Sequence, residues 1–311
     1  MASDRFDASS VPALSGRTAL VTGANSGLGF EISRVLVKKG ARLLFAVRDP
    51  ERGAAALARL MAETPGAEVV PLALDLADLK SIRSMAETVA SGQNRLDLLF
   101  NNAGVMAIPR RETAQGFEMQ LGTNHFGHFA LTGLLLPLLR RTPGSRVITT
   151  SSLLHRRGIM NFEDLDGRKR YTSYGAYGQS KLANLLFAYE LDRRLKAAGV
   201  PVLSLACHPG YSATNLQTVG AKMEKNPIKE VVSGWMNAVL AQPASQGALT
   251  ALYAAVRPEM KGGEFIGPDG FMAMRGFPVP EVSNDRSRSV EDAVRLWKIS
   301  EERTGVSYSF A

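Results

Sequence analysis

Tyr177 and Lys181 stand four residues apart in a stretch, Tyr174 to Ala198, whose pattern predicts a helix. Positions i and i+4 lie on one face of a helix, so the two side chains would be about one turn apart. A free tyrosine has a pKa of about 10, and a nearby ammonium lowers that pKa by stabilising the phenolate. The pair therefore predicts a general acid/base poised nearer neutral pH. The same spacing also arises by chance, and then it marks only a surface pair.

A glycine-rich turn links the first predicted strand, Thr18 to Thr22, to a predicted helix, Gly27 to Lys39. Glycines let the backbone approach a pyrophosphate closely, and the helix N-terminus offers free N–H groups and a positive dipole end. The spacing G-x-x-x-G-x-G differs from the commoner G-x-G-x-x-G, so its place after the first strand is what strengthens the prediction. The expected dinucleotide contacts in this turn are Gly23, Asn25, Ser26, Gly27, Leu28 and Gly29.

The end of the second predicted strand, Leu43 to Val47, bears on which dinucleotide binds. Folds that bind NAD usually place a carboxylate here, about 20 residues past the glycines, for the ribose 2′-OH. This chain has Val47 followed by Arg48, whose planar guanidinium can pair with a 2′-phosphate. We therefore expect NADP(H) as cofactor. The alternative is a surface arginine paired with Asp49 or Glu51.

Asp75 follows the third predicted strand, Glu68 to Leu74. In that position it could receive the adenine amino group of the dinucleotide. Its alternative role is the N-cap of a helix that begins near Leu79.

Apolar strands alternate with amphipathic helices along most of the chain. Six or seven such strands predict an α/β fold, a single Rossmann-type, doubly wound parallel sheet with helices on both faces. Residues 1–15 would be a flexible N-terminal arm, and residues 16–270 a dinucleotide-binding catalytic domain with a substrate lid at about 208–242. Residues 271–311 would be a C-terminal extension packed on the same domain.

Polar segments end two further strands at the edge where such sheets bind ligands: Asn101 to Gly104, and Thr149 to Ser152. Together with the glycine turn, the segment from Tyr177 to Lys181, and His208-Pro209-Gly210, they closely resemble the short-chain dehydrogenase/reductase family. The match follows the order of that family over about residues 16 to 270. The resemblance implies hydride transfer between a nicotinamide and a carbonyl or alcohol carbon.

The resemblance also implies a role for each matching residue. Tyr177 would protonate the carbonyl oxygen or deprotonate the alcohol, and Lys181 would hold the nicotinamide ribose. Ser152 would hydrogen-bond the reacting oxygen, with Ser151 as its rival, and Asn124 would hold a water that links Lys181 to a proton relay. The other implied cofactor contacts are Leu76, Asn102, Ala103, Gly104, Pro209, Gly210 and Thr214.

Within that family, segments such as Val47-Arg48-Asp49 and Ser151 to His155 look like retinol dehydrogenases and protochlorophyllide reductases. The light-driven reductases carry a cysteine directly after the Pro-Gly turn, where this chain has Tyr211, which argues against that reaction. We expect a lipophilic small-molecule substrate, and His155 would either line its pocket or lie in a surface loop. The substrate contacts that we expect are Leu154, His155, Tyr211 and Trp235.

Many relatives dimerise through long helices that match residues 115–139 and 174–198, whereas branches with lipophilic substrates are often monomeric. The sequence therefore leaves monomer and homodimer open. The alternative function is a catalytically silent NADP(H)-binding sensor or scaffold, which usually lacks the tyrosine or the lysine that this chain retains.

Composition narrows the possible partners and cellular locations. The chain has 311 residues and a formal charge of +8, but its short basic runs lie apart without interleaved aromatics, so we expect no nucleic-acid partner. The lone Cys207 cannot form an intrachain disulfide and indicates a reducing compartment. The first ten residues lack the apolar stretch of a signal peptide, and the aliphatic run Leu131 to Leu139 is shorter than a bilayer span of ~20 residues. We expect a cytoplasmic protein without an integral membrane segment.

His125 and His128 stand at positions i and i+3, a conceivable metal pair. No pattern of carboxylates or cysteines accompanies them, so we expect structural roles and no metal.

Overall fold

The computed structural model describes residues 5–212 and 241–310. Its centre is an eight-stranded sheet with the order β3-β2-β1-β4-β5-β6-β7-β8. Seven strands run parallel, and β8 pairs antiparallel with β7. The strands are β1 (Thr18–Thr22), β2 (Arg42–Val47), β3 (Val69–Ala73), β4 (Leu98–Asn101), β5 (Arg146–Thr150), β6 (Leu203–Cys207), β7 (Phe265–Pro268) and β8 (Pro278–Glu281).

Helices cover both faces of the sheet. They are α1 (Gly27–Lys38), α2 (Pro50–Glu63), α3 (Leu79–Gly92), α4 (Gly127–Arg140), α5 (Ser173–Ala197), α6 (Ala244–Val256) and α7 (Val290–Thr304). One buried core joins the sheet to α1, α2 and α6, and another joins it to α3, α4 and α5. The predicted α/β fold class is confirmed.

Alternation along the strands explains why both faces are covered. In β1, Ala19 and Val21 lie in one core and Leu20 lies in the other, and Leu43 and Leu44 of β2 divide in the same way. Successive side chains of a strand point to opposite faces, so an all-apolar strand needs a helical layer on each side. The strand order turns back between β1 and β4, and their carboxyl ends therefore border the crevice where such sheets bind ligands.

The sheet has one strand more than the six or seven that the sequence predicts. β8 carries Pro278 and Pro280, and prolines in a run normally argue against a strand because they cannot donate a ladder hydrogen bond. β8 lies at the edge of the sheet, where it needs hydrogen bonds on one side only. Its antiparallel direction also falls outside the repeating strand–helix pattern.

The N-terminal segment differs from the flexible arm that we expected. Phe6, Val11 and Leu14 are buried in the core around α1 and α6, and the Leu14 N–H donates to the Lys39 carbonyl at 2.7 Å. Single apolar residues separated by polar ones show no periodicity, so the sequence pattern gave no sign of this packing.

A π-helical turn interrupts the long helix that was expected from about residue 115. The helix begins with the short segment Met119–Leu121, passes through the π turn Gly122–Phe126, and continues as α4. Such turns are rare and occur often at functional sites. Within residues 5–212 and 241–310, no helix is both long and apolar enough to cross a bilayer.

Candidate active site

The N-terminus of α1 presents free backbone donors to the crevice. Ser26 is the N-cap residue, and its side chain accepts no capping hydrogen bond from the helix. Gly23 and Gly27 have φ values of +67° and +52°, which favour glycine, and a Cβ on Gly29 would overlap the Gly23 carbonyl oxygen. These features leave N–H groups and bare backbone available to an anion, as the binding of a pyrophosphate requires.

The end of β4 forms the floor beside this turn. The Asn102 side chain donates to the Thr22 carbonyl at 2.8 Å, and the N–H groups of Asn102 and Ala103 both donate to Thr22 Oγ1 at 3.0 Å. The glycine turn packs directly on Ala103, because a Cβ on Gly23 would lie 3.0 Å from the Ala103 Cβ. Asn102 and Ala103 are thus brought together with the glycine turn.

Arg48 lies at the carboxyl end of β2 with an exposed side chain. Within the described ranges it has no hydrogen bond or ion pair. Asp49, its expected alternative partner, instead caps α2 by accepting from the N–H groups of Glu51 and Arg52, both at 3.1 Å. Arg48 thus directly follows β2, and Asp49 is engaged with the N-terminus of α2.

Asp75 does not cap α3. The N-cap is Asp78, whose carboxylate accepts from the Lys80 N–H at 3.0 Å, whereas Asp75 accepts from the Ala77 N–H at 2.9 Å. The alternative role that we gave Asp75 is therefore wrong, because the helix begins one turn later than the aspartate can reach. The adjacent Leu76 is buried against Gly127, at the start of α4.

Tyr177 and Ser152 meet at the carboxyl edge of the sheet. Tyr177 lies on α5 and is only 7% exposed, and the Ser152 side chain is near enough to its hydroxyl to lower the pKa of the phenol. Ser152 follows β5 and caps a 3₁₀ helix, Leu153–Arg157, by accepting from the Leu154 N–H at 3.2 Å. The phenol and the serine hydroxyl can thus both reach one substrate oxygen.

Lys181 lies beneath the phenol. Its Nζ is 5.7 Å from the centroid of the Tyr177 ring and donates to the Thr150 carbonyl at 3.1 Å. It is also close to Gly104, since a Cβ on that glycine would lie 3.6 Å from Nζ. The residues on β4, β5 and α5 therefore form one continuous site.

Burial is the main cause of the pKa shifts of Tyr177 and Lys181. It raises the pKa of Tyr177 to about 12, against a smaller lowering by the nearby Ser152 side chain. Burial also lowers the pKa of Lys181 to about 8. This differs from the expected lowering of the tyrosine pKa by an ammonium, because the cost of burying a phenolate exceeds the attraction across the distance found here.

The two candidate serines differ in their partners. The Ser151 hydroxyl is buried and donates to the Lys181 carbonyl at 2.8 Å, so it holds α5 against β5. The Ser152 hydroxyl faces Tyr177 instead.

Asn124 lies in the π turn and is fully buried. Its side chain accepts from the Val105 N–H at 2.8 Å and donates to the Val105 carbonyl at 3.0 Å and to Ser180 Oγ at 2.9 Å. Its backbone carbonyl oxygen accepts from His128 Nδ1 at 3.0 Å.

The histidine pair has separate partners. His128 Nδ1 bonds the Asn124 carbonyl, so its Nε2 accepts from the Thr22 hydroxyl at 3.0 Å, and His125 Nε2 bonds Ser300 Oγ at 2.9 Å. Burial lowers the pKa of His125 to about 3 and that of His128 to about 4, so both rings are neutral. His128 thereby connects the π turn to the floor of the glycine turn, a contact that the sequence pattern did not predict.

The turn after β6 closes the other side of the site. Gly210 has a φ of +64°, and the Pro209 carbonyl accepts from the side chains of Ser212 and Gln242, both at 2.7 Å. The Tyr211 N–H donates to the Met274 carbonyl at 2.7 Å. Thr214 and Trp235, which we expected at the nicotinamide and in the substrate pocket, lie outside the described residues.

His155 does not lie in a surface loop, so that expectation for it was wrong, and its place beside a substrate stays a prediction. Its ring is fully buried, and its Nδ1 donates to the Ser152 carbonyl at 2.6 Å. It packs edge-on against Phe265 with ring centroids 5.4 Å apart, and burial lowers its pKa to about 4. The 3₁₀ helix turns its side chain back under the serine, whereas the neighbouring Leu154 is only partly buried.

Comparisons with known proteins agree on one family. A family model described as short chain dehydrogenase matches residues 17–225. Retinol dehydrogenase 12 of Mus musculus is 38% identical over 293 residues, which are 94% of this chain and 88% of the mouse protein. Retinol dehydrogenase 13 of Homo sapiens is 39% identical over 94% of this chain and 85% of its own length.

Solved structures point the same way. An uncharacterized protein from Mycobacterium Paratuberculosis has a TM-score of 0.80 and 42% identity, covering 98% of this chain and 99% of that one. The NADP complex of RhlG from Pseudomonas aeruginosa has a TM-score of 0.65 and 26% identity, covering 84% of this chain and 98% of that one.

Proposed function

Because this chain belongs to the short-chain dehydrogenase family and is an oxidoreductase of the hydride-transfer type, we propose that it acts on the carbonyl or alcohol group of a lipophilic small molecule with NADP(H). Tyr177 is the general acid/base of this proposal. The observation that carries it is the convergence of Tyr177, Lys181 and Ser152 at the carboxyl edge of the sheet, where Lys181 Nζ is 5.7 Å from the centroid of the Tyr177 ring, beside the open N-terminus of α1.

The residues of the crevice fit a nicotinamide dinucleotide. The glycine turn and the uncapped N-terminus of α1 would hold its pyrophosphate, and Gly104, Lys181 and the Pro209–Gly210 turn border the place of its nicotinamide end. When bound, the dinucleotide supplies or receives the hydride.

The protein residues handle the proton and the orientation of the carbonyl. The raised pKa of Tyr177 keeps the phenol protonated at neutral pH, so it is set to donate a proton to a carbonyl oxygen. Ser152 donates a second hydrogen bond to the same oxygen and fixes its position. The Lys181 ammonium stabilises the tyrosinate that remains after the proton has left. Asn124 holds a water on the path that returns a proton to Tyr177. These roles favour carbonyl reduction at neutral pH.

Arg48 supports NADP(H) over NAD(H). Val47 holds the position where many NAD-binding folds have a carboxylate, the exposed Arg48 follows it, and Asp49 is already engaged with α2. Asp49, the next residue in the chain, therefore does not pair with Arg48.

Exposed apolar side chains around the site support a lipophilic substrate. Ile159 follows the 3₁₀ helix that Ser152 caps, and Tyr174 stands three residues before Tyr177. Phe271 and Met272 belong to the loop whose Met274 carbonyl accepts from the Tyr211 N–H. The relatives named for retinol act, by their names, on a lipophilic alcohol.

A panel of aldehydes, ketones and quinones of increasing chain length, followed by the loss of NADPH absorbance, tests this function. We expect turnover with NADPH, weaker turnover with NADH, and a KM that falls as the carbonyl compound becomes more apolar. NADPH binding without turnover on any compound would favour the silent sensor or scaffold.

A further inference from the structure

A partly buried carboxylate joins the two segments that flank the proposed catalytic centre. Glu281, at the end of β8, accepts from His208 Nε2 at 2.8 Å through Oε2 and from Arg156 Nη2 at 2.6 Å through Oε1. His208 directly precedes the Pro209–Gly210 turn, and Arg156 lies four residues after Ser152. Each carboxylate oxygen is therefore bonded to a different segment.

The bond to His208 helps to set the shape of the Pro209–Gly210 turn. His208 is fully buried, and its Nδ1 accepts from the Gly210 N–H at 3.2 Å. A neutral imidazole has one donor and one acceptor, so this bond requires the hydrogen to be on Nε2, where Glu281 receives it. A Cβ on Gly210 would overlap the Met274 carbonyl, so the turn has little room for another shape.

The bond to Arg156 holds the serine segment. Arg156 lies in the 3₁₀ helix that Ser152 caps, and in the same helix His155 Nδ1 donates to the Ser152 carbonyl at 2.6 Å. The rings of His155 and His208 pack on the same Phe265, with centroids 5.4 Å and 5.1 Å from it. The two segments thus meet around one carboxylate and one aromatic ring.

The charges and the space around the Glu281 side chain both suit a carboxylate. Burial raises the pKa of Glu281, but the bonds from His208 and Arg156 outweigh burial and bring that pKa below its usual value. A Cβ on Gly267 would overlap both the Glu281 carboxylate and the His208 ring. The Glu281 carboxylate is therefore ionised at neutral pH, and position 267 has room only for a glycine.

We propose that Glu281 is a positioning residue for the oxidoreductase reaction: by bonding His208 and Arg156 together, it fixes the nicotinamide-side turn relative to Ser152. The inference rests on the proposed function, since the value of this arrangement lies in aligning a hydride donor with a carbonyl. Glu281 itself touches neither Tyr177 nor Lys181 in any hydrogen bond of the described chain.

Glu281→Gln tests this inference with little change in volume, because one carboxamide oxygen cannot serve both donors as the carboxylate does. The matched control is Glu259→Gln, which removes a carboxylate that pairs with Arg257 at 2.7 Å, away from the site. We expect Glu281→Gln to lower kcat about tenfold or more at saturating NADPH and to raise the Kd for NADPH. Glu259→Gln should change neither.

Hydrogen exchange read by mass spectrometry separates this inference from the proposed function. In Glu281→Gln, peptides that contain Gly210 or Leu154 should exchange several-fold faster than in the wild type, with no substrate present. Wild-type exchange together with wild-type NADPH affinity would overturn the positioning role. Faster exchange in a protein that turns over no carbonyl compound would support the link that Glu281 makes between the two segments and count against the proposed function.

A second variant covers the case in which Glu281→Gln does not fold. Arg156→Met removes one of the two hydrogen-bond donors to Glu281. The Arg156 side chain is 45% exposed, so the fold tolerates its replacement. We expect faster exchange at Leu154 and a lower kcat, with exchange at Gly210 unchanged. Unchanged exchange and unchanged kcat would contradict the inference.

Discussion

At the scale of single residues, the burial of Lys181 changes what the tyrosine–lysine pair does. Sequence spacing correctly predicts that the two side chains share one helix face, but spacing carries no information about desolvation. Burial lowers the pKa of Lys181 to about 8 and raises that of Tyr177 to about 12. The free protein therefore holds a proton donor and an ammonium that is lost just above neutral pH.

This order of pKa values predicts the pH dependence of carbonyl reduction. The pKa of Lys181 is below its ordinary value, so the ammonium is present below pH about 8 and lost above it, while Tyr177 stays protonated throughout that range. We expect kcat/KM for NADPH, which reports the free enzyme, to be level near pH 6 to 7 and to fall about tenfold per pH unit above about 8.

The control for this profile is Lys181→Arg, whose side chain keeps its charge at every accessible pH. Its activity should be lower overall, but the decline above pH 8 should be absent. A wild-type profile that stays level up to pH 10 would contradict the assignment to Lys181.

Arg48 gives a second prediction at this scale. Arg48→Ala should raise the Kd for NADPH by about ten- to a hundredfold while changing the Kd for NADH little, because a hydrogen bond to a charged group contributes about 1.5–3 kcal/mol. Fluorescence titration measures both constants. Arg52→Ala is the matched control, since Arg52 is also exposed and pairs with Asp49. An equal loss for both dinucleotides would refute selection through the 2′-phosphate.

At the scale of elements, the sequence predicted the parallel strands and their helices because apolar runs and helical periodicity are local. It missed β8 because that strand contains two prolines, and it missed the π turn because the extra residue leaves no mark in the hydrophobic period. Both features carry site residues, Glu281 and Asn124. No pattern indicated Glu281, whereas the family resemblance named Asn124 and only the π turn that positions it was missed.

The start of α1 gives a prediction for an element. Gly29→Ala should weaken NADPH binding by more than tenfold and lower stability by about 1–3 kcal/mol, since the new methyl group would overlap the Gly23 carbonyl and the Asn102 amide. Gly92→Ala is the control, because its Cβ would meet nothing within 4 Å and alanine favours a helix. Isothermal titration and urea unfolding measure the two effects; a Gly29→Ala protein with unchanged affinity would contradict the pyrophosphate assignment.

At the scale of the whole molecule, the C-terminal residues pack on α4 and α5, the two helices at which we considered dimerisation. Trp297 of α7 is buried, with ring centroids 5.1 Å from Phe129 of α4 and 6.0 Å from Phe187 of α5. The Tyr308 hydroxyl donates to the Phe129 carbonyl at 2.7 Å. The sequence left monomer and dimer open, since it does not reveal where its last helix packs.

We therefore predict a monomer. Light scattering after size exclusion should give a mass near 33.5 kDa at micromolar concentration. Twice that mass would show that another surface forms an interface.

The most direct test of the account is Tyr177→Phe, which removes one hydroxyl from a buried ring and keeps its packing. With a carbonyl compound that the wild type reduces, we expect the rate of NADPH oxidation to fall by about a hundredfold or more, while the Kd for NADPH changes less than threefold. Near-normal turnover by Tyr177→Phe would contradict the claim that this phenol donates the proton.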